Sequence, residues 1–269
     1  MRKLRLLCFA MALATSGTAR AADAPSFPGV VALEYAEQRI LCSGVVLTDR
    51  LVLTAAHCLC AEIPIYAFIG RTVFSAENAG FQRRVNLALA RPSFFLPDFC
   101  ARYAVNRLET MRGNDLALLS FEHLLSNELR DIVLDSPPSE PDLQFERILA
   151  AGFGESNNLW RPGRKSFAEL DLIARLCSAA DEQRDGCKAQ VEMIASRPPH
   201  DTCYADSGGG LYGVTSDGNF YLLGITARGW KATANDMCGV GGIYTSLEAV
   251  GVRAWLSHEL AAIKPEHPK

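Results

Sequence analysis

Asp201-Thr-Cys-Tyr-Ala-Asp-Ser-Gly-Gly-Gly210 is the stretch from which the rest of this chain can be read. Ser207 stands between an aspartate and three glycines, shortly after Cys203, so the backbone can bend sharply and present its N–H groups. A serine so placed suits acyl transfer if a base and an orienting carboxylate exist elsewhere. The alternative is a glycine-rich surface turn, for which Asp-Ser-Gly strings are ordinary chemistry.

Two other stretches supply the partners. Thr54-Ala-Ala-His-Cys58 ends an apolar run with His57, although a lone histidine is often structural. Gly113-Asn-Asp-Leu-Ala-Leu-Leu119 sets Asp115 at the mouth of an apolar strand. An aspartate there is costly to bury unless hydrogen-bonded, or it caps the strand as a turn residue. Taken together, His57, Asp115 and Ser207 follow the chain order of a Ser-His-Asp acyl-transfer triad.

The outer parts of the chain fix its class. Met1-Arg-Lys-Leu-Arg5 is basic, Leu6–Thr15 is apolar, and Ala19-Arg-Ala21 has the small residues a signal peptidase reads. We therefore expect a bacterial-type signal peptide over 1–21, cleavage before Ala22, and a periplasmic or extracellular destination. The apolar run is too short to span a bilayer. Cleavage removes four of the 27 Lys and Arg and none of the 30 Asp and Glu, leaving a net charge of −7. A net acidic chain without basic clusters gives no support for nucleic-acid binding. Of nine cysteines only Cys8 lies in the leader, and the eight that remain point to four disulfides in an oxidising compartment. Zinc is the competing reading of such a count, but no paired CxxC is present and the histidines are scattered.

Short apolar runs at Val30–Leu33, Ile40–Leu47, Arg50–Ala55, Tyr66–Ile69, Val85–Ala90, Leu116–Phe121, Ile148–Phe153, Leu170–Ile173, Phe220–Thr226 and Gly242–Thr245 predict an all-β barrel or sandwich. Asp135-Ser-Pro-Pro-Ser-Glu-Pro141 marks a linker between two halves. Val252, Trp255, Leu256, Leu260 and Ile263 recur at helical spacing, so a C-terminal helix should pack on the second half with Trp255 in the core.

TAAHC, NDLALL and DSGGG resemble the three signatures of the trypsin/chymotrypsin-like serine proteases, and family-like segments run in order through nearly all of the chain after the leader. The resemblance implies two antiparallel β-barrels, at about 30–120 and 143–246, joined by a linker at about 121–142 and followed by a helix at about 247–263, all within a protease domain spanning 22–269. It also implies His57 as general base, Asp115 as its orienting partner and Ser207 as nucleophile, with the N–H groups of Ala205 and Ser207 as oxyanion hole. Asp201 would floor the primary specificity pocket and Gly229 and Gly242 would keep its walls open, which predicts cleavage after Arg or Lys. Cys42–Cys58 and Cys203–Cys238 follow from the same matching positions, Cys177–Cys187 closes a shorter loop than usual, and Cys60–Cys100 remains as the fourth bridge. That fourth bridge ties the long Phe94–Gly113 insertion beside the cleft, where it should narrow access.

Several departures from the family pattern stand out. Ala205 replaces the usual oxyanion-hole glycine, and no Ile-Val-Gly-Gly-like start precedes the domain to supply an amine for Asp206. Thr226-Ala-Arg-Gly229 replaces a stretch with serine and tryptophan, so Arg228 either projects along the substrate path or forms a solvated edge. The loop Trp230–Met237 is long, and Trp230 is a candidate for the missing aromatic wall. Gly70–Gly80 holds one carboxylate, Glu77, too few for a calcium loop. We expect a monomeric enzyme without metal or other cofactor that acts on protein or peptide substrates, with a protein inhibitor as a further candidate partner. The alternative is a catalytically weak or inactive protease homologue that acts as a binding module.

Overall fold

The computed structural model describes residues 27, 29–36, 39–48, 50–73, 81–91, 98–113, 115–121, 143–155, 162–231, 238 and 240–262, with side chains at 36, 81–91 and 121 set aside. The leader at 1–21, the linker after Phe121, most of the Trp230–Met237 loop and Ile263 lie outside these residues.

Two closed antiparallel barrels of six strands each form the molecule. The first contains β1 (Val30–Ala36), β2 (Arg39–Val46), β3 (Leu51–Thr54), β4 (Tyr66–Ile69), β5 (Phe81–Arg91) and β6 (Ala117–Phe121), in the spatial order β1-β2-β3-β6-β5-β4. The second repeats that order with β7 (Arg147–Gly152), β8 (Ser166–Ala174), β9 (Glu192–Ser196), β10 (Gly210–Val214), β11 (Phe220–Gly229) and β12 (Gly242–Ser246). Closure leaves no unpaired sheet edge.

Side-chain alternation explains why the strands read as unbroken apolar runs. In β1, Val31 and Leu33 fill the first barrel, whereas Val30 and Ala32 join the core cluster between the barrels. In β7, Ile148 and Ala150 fill the second barrel while Leu149 and Ala151 face that shared cluster. With both faces buried, alternate positions carry no polar residue to mark the period. The shared cluster fixes one barrel against the other, and the cleft opens along this seam. Phe27 leads into β1 with its ring packed among Phe167, Tyr212 and Phe220 of the second barrel.

Helices occupy the loops. α1 (Phe99–Val105) and α2 (Arg107–Met111) form the insertion before Asp115, α3 (Ala179–Asp185) follows β8, and α4 (Val250–Ala262) closes the described chain. In α4, Val252 and Trp255 are buried as the spacing predicts, but Leu260 is exposed and Glu259 is buried in its place. No helix among the described residues is long and apolar enough to cross a membrane.

Candidate active site

His57 lies in a one-turn 3-10 helix, Ala56–Leu59, directly after β3. Its backbone N–H donates to Asp115 Oδ1 at 2.8 Å, and its ring Nδ1 lies 2.7 Å from Asp115 Oδ2. A carboxylate can only accept, so Nδ1 is the donor in this contact, and in the neutral tautomer so selected the lone pair lies on Nε2. Asp115 is completely buried, and both of its oxygens are spent on this one residue. The histidine is thereby held in one tautomer and one orientation.

Ser207 occupies the turn into β10. The Ser207 carbonyl accepts from Ser43 N–H at 2.7 Å, and Gly208 N–H donates to Thr226 O at 2.8 Å. Gly208 has φ +84°, and a Cβ there would fall 2.2 Å from both Ser43 O and Thr54 Oγ1. Only glycine lets the nucleophile turn press this closely against the first barrel. Ser207 and His57 line one cleft with Tyr35, Tyr103, Ala205 and Gly229. No hydrogen bond joins Ser207 Oγ to His57 Nε2 in the structure; bonds of this kind often tighten only in the substrate complex.

Ala205 adopts φ +70°. The Tyr204 carbonyl accepts from Glu155 N–H at 3.0 Å, and in a planar trans peptide the Ala205 N–H then points the opposite way. The Ala205 carbonyl is held in turn by Ser43 Oγ at 2.9 Å, and that hydroxyl accepts from Phe153 N–H at 2.8 Å. Among the described residues neither the Ala205 nor the Ser207 N–H has an acceptor, and both residues line the cleft.

Asp206 points to the other side of the turn, into a cavity of about 360 Å³ that Glu155, His200 and Asp201 also line. It is buried and accepts from Gly154 N–H at 2.7 Å and Cys203 N–H at 2.8 Å. Burial pushes its carboxyl up to about 7, with the charge of Asp201 adding to the effect. Among the described residues no basic side chain pairs with it. Asp201 accepts from Thr202 N–H at 2.6 Å and Gly241 N–H at 2.8 Å, and burial raises its carboxyl as well. Asp201 therefore lines the cavity behind the nucleophile turn, and Thr202 and Cys203 line both that cavity and the cleft. Gly229 pairs directly with Gly242 between β11 and β12, so the two expected wall glycines face each other across the ladder.

All four disulfides join the expected partners: Cys42–Cys58, Cys60–Cys100, Cys177–Cys187 and Cys203–Cys238. The sulfurs of Cys42 and Cys58 lie close to the His57 ring, but their mutual bond removes them as metal ligands. Cys60–Cys100 clamps α1 over the cleft. There Tyr103 stacks on His57 with ring centroids 5.9 Å apart, and Phe99 stacks on Tyr103 at 6.1 Å.

Two expectations about the cleft wall are corrected. Arg228 is not a solvated edge: it borders the cleft, but its side chain is 8% exposed and its charged end grips the fully buried Glu192 instead of reaching free into the substrate path. Trp230 packs beside Ile194 and Ile243 and does not line the cleft. Tyr103 and Glu192 had no motif to announce them, and Ser43 lay in the family-like segment Cys42-Ser-Gly44 with no sign of its role as a clamp. Their roles arise from contacts between segments far apart in sequence.

The family model described as Trypsin matches residues 17–255. The renal glandular kallikrein of Mastomys natalensis is 29% identical over 236 residues, covering 84% of this chain and 83% of the relative. The kallikrein 1-related peptidase b22 of Mus musculus is 30% identical over 248 residues, covering 88% and 86%. The cercarial protease of Schistosoma mansoni is 25% identical over 131 residues, covering 48% and 49%.

Proposed function

The chain belongs to the trypsin family of serine proteases, and from that premise we propose that it is an exported endopeptidase that cleaves after Arg or Lys. One observation carries the catalytic part: His57, fixed through both oxygens of Asp115, shares a cleft with Ser207. In this reading His57 Nε2 takes the Ser207 hydroxyl proton as Oγ attacks the scissile carbonyl carbon. The N–H groups of Ala205 and Ser207 receive the developing oxyanion, and Asp115 stabilises the imidazolium. His57 then protonates the leaving amine, and water repeats the sequence on the acyl-enzyme.

Asp201 is the proposed acidic floor, with Gly229 and Gly242 as open walls. Its partial burial supports the assignment: its oxygens accept only from neutral N–H and hydroxyl groups and no cation pairs with it among the described residues, so a guanidinium or ammonium would meet an uncompensated charge there. The leader sequence and the four disulfides support export.

A peptide library with every residue at the cleavage position tests the specificity. Cleavage should concentrate after Arg and Lys, and Asp201→Ser should cost at least about 10²-fold in kcat/KM on Arg substrates, the scale of one broken buried charge pair. Preference for aromatic or small residues would refute it. The competing binding-module reading draws on Asp206, whose buried carboxylate has no cation among the described residues. Under that reading Ser207→Ala leaves function untouched, whereas the protease reading predicts its loss.

A further inference from the structure

Glu192 is completely buried in β9. A buried carboxylate is destabilising unless its lone pairs and charge are matched. Four donors match this one. Arg228 gives a two-pronged contact, Nη1 to Oε1 at 2.6 Å and Nη2 to Oε2 at 2.7 Å. Lys188 N–H donates to Oε2 at 2.6 Å, and Gly113 N–H donates to Oε1 at 2.9 Å.

The last contact crosses between the barrels. Gly113 belongs to the segment that delivers Asp115, two residues on, whereas Glu192 and Arg228 belong to the barrel that carries Ser207. Glu192 is paired with Thr245 in the β9/β12 ladder, and Thr245 Oγ1 reaches the Asp115 carbonyl at 3.4 Å. One residue before Gly113, Arg112 pairs with Glu182 of α3 at 3.0 Å. Arg112, Gly113 and Asp115 are therefore each fastened to the second barrel.

Arg228 reaches Glu192 because of a backbone irregularity. The β11/β12 register shifts between Thr226 and Arg228, with buried Ala227 as the extra residue. A bulge of this kind re-aims the following side chain. Here Arg228 turns inward onto Glu192 while the residue still borders the cleft.

We propose that Glu192 and Arg228 form an inter-barrel latch that positions Asp115, and through it His57, against Ser207. Its activity consequence rests on the proposed protease function, but its geometry does not. The two are positioning residues, and breaking the fork frees the Gly113 segment to shift.

The test uses the chain purified after export, with Glu192→Gln, Arg228→Met and Arg228→Lys. Three readouts are taken: kcat and KM on an Arg ester, the downfield proton resonance of His57 Nδ1–H, and amide exchange over residues 112–115. Glu192→Gln and Arg228→Met should lower kcat by about 10²-fold with KM nearly constant, the scale of a misplacement of about 1 Å. Both should broaden or shift the His57 proton and speed exchange at Gly113. Arg228→Lys keeps the charge without the fork and should lose about tenfold in kcat. Normal kcat and an unmoved His57 proton in Arg228→Lys would overturn the latch, even if the other variants do not fold. So would a change confined to KM in Arg228→Met with Glu192→Gln silent, which would make Arg228 a cleft wall only. If the wild type cleaves nothing, the proposed function falls, and the proton resonance and amide exchange still decide the latch.

Discussion

Ala205 carries a local conflict at the site itself, a residue with a Cβ held at φ +70°. The left-handed region costs such a residue about 1–2 kcal/mol, yet the peptide is tied at both ends. Glu155 N–H holds the carbonyl before it, and Ser43 Oγ holds its own carbonyl. Ala205→Gly should therefore leave kcat within about threefold, since the N–H direction is set by those bonds and not by the methyl. Its midpoint of thermal unfolding should change little, because relief of strain is offset by lost burial and greater unfolded-state entropy. Ser43→Ala, in contrast, removes the clamp and leaves Phe153 N–H without its acceptor. A loss of about 1–3 kcal/mol in unfolding free energy and a lower rate of Ser207 acylation should follow, measured by denaturant titration and by stopped-flow ester hydrolysis. At this scale the residues of the proposed triad were legible as candidates, because His57, Asp115 and Ser207 each sit in a short motif. Ser43 was not legible as a clamp, since its partner lies 162 positions away and only barrel closure brings them together.

The strands were mostly legible as apolar runs, and the misses have physical causes. β9, Glu-Met-Ile-Ala-Ser, begins with a buried charge, and β10, Gly-Leu-Tyr-Gly-Val, contains two glycines. Both are fully buried strands whose composition argues against strand, because pairing and the Arg228 contact override local propensity. α1 and α2 were hidden for the opposite reason. They are too short to form alone and depend on the packing of Phe99 and Met111 into the first barrel and on Cys60–Cys100. Replacing both cysteines with serine should cost about 2–4 kcal/mol of stability. It should also raise hydrogen exchange across 99–111 and admit bulkier substrates beside His57, seen as a lower KM for them. Unchanged exchange in that segment would show that the helices need no tether.

At the scale of the whole molecule, Asp206 links stability to pH. Its folded carboxyl sits up at about 7, pushed there by burial and the nearby Asp201 and opposed by the Cys203 and Gly154 N–H groups. Between the ordinary aspartate value near 4 and this value the folded state holds a proton that the unfolded chain has released. Stability from this group is therefore fullest below about pH 4, declines by at most about 1.4 kcal/mol per unit as pH rises to 7, and levels off above. Denaturant titrations at several pH values should show this decline, and Asp206→Asn should flatten it. Asp206 also belongs to the turn that carries the nucleophile, and catalysis requires that turn to be ready for chemistry. Incubation of the purified chain with a fluorophosphonate, followed by intact-mass measurement and peptide mapping, tests this most directly. One adduct on Ser207, abolished by His57→Ala, is the predicted result; an unmodified chain at saturating probe, or an adduct on another residue, would contradict it.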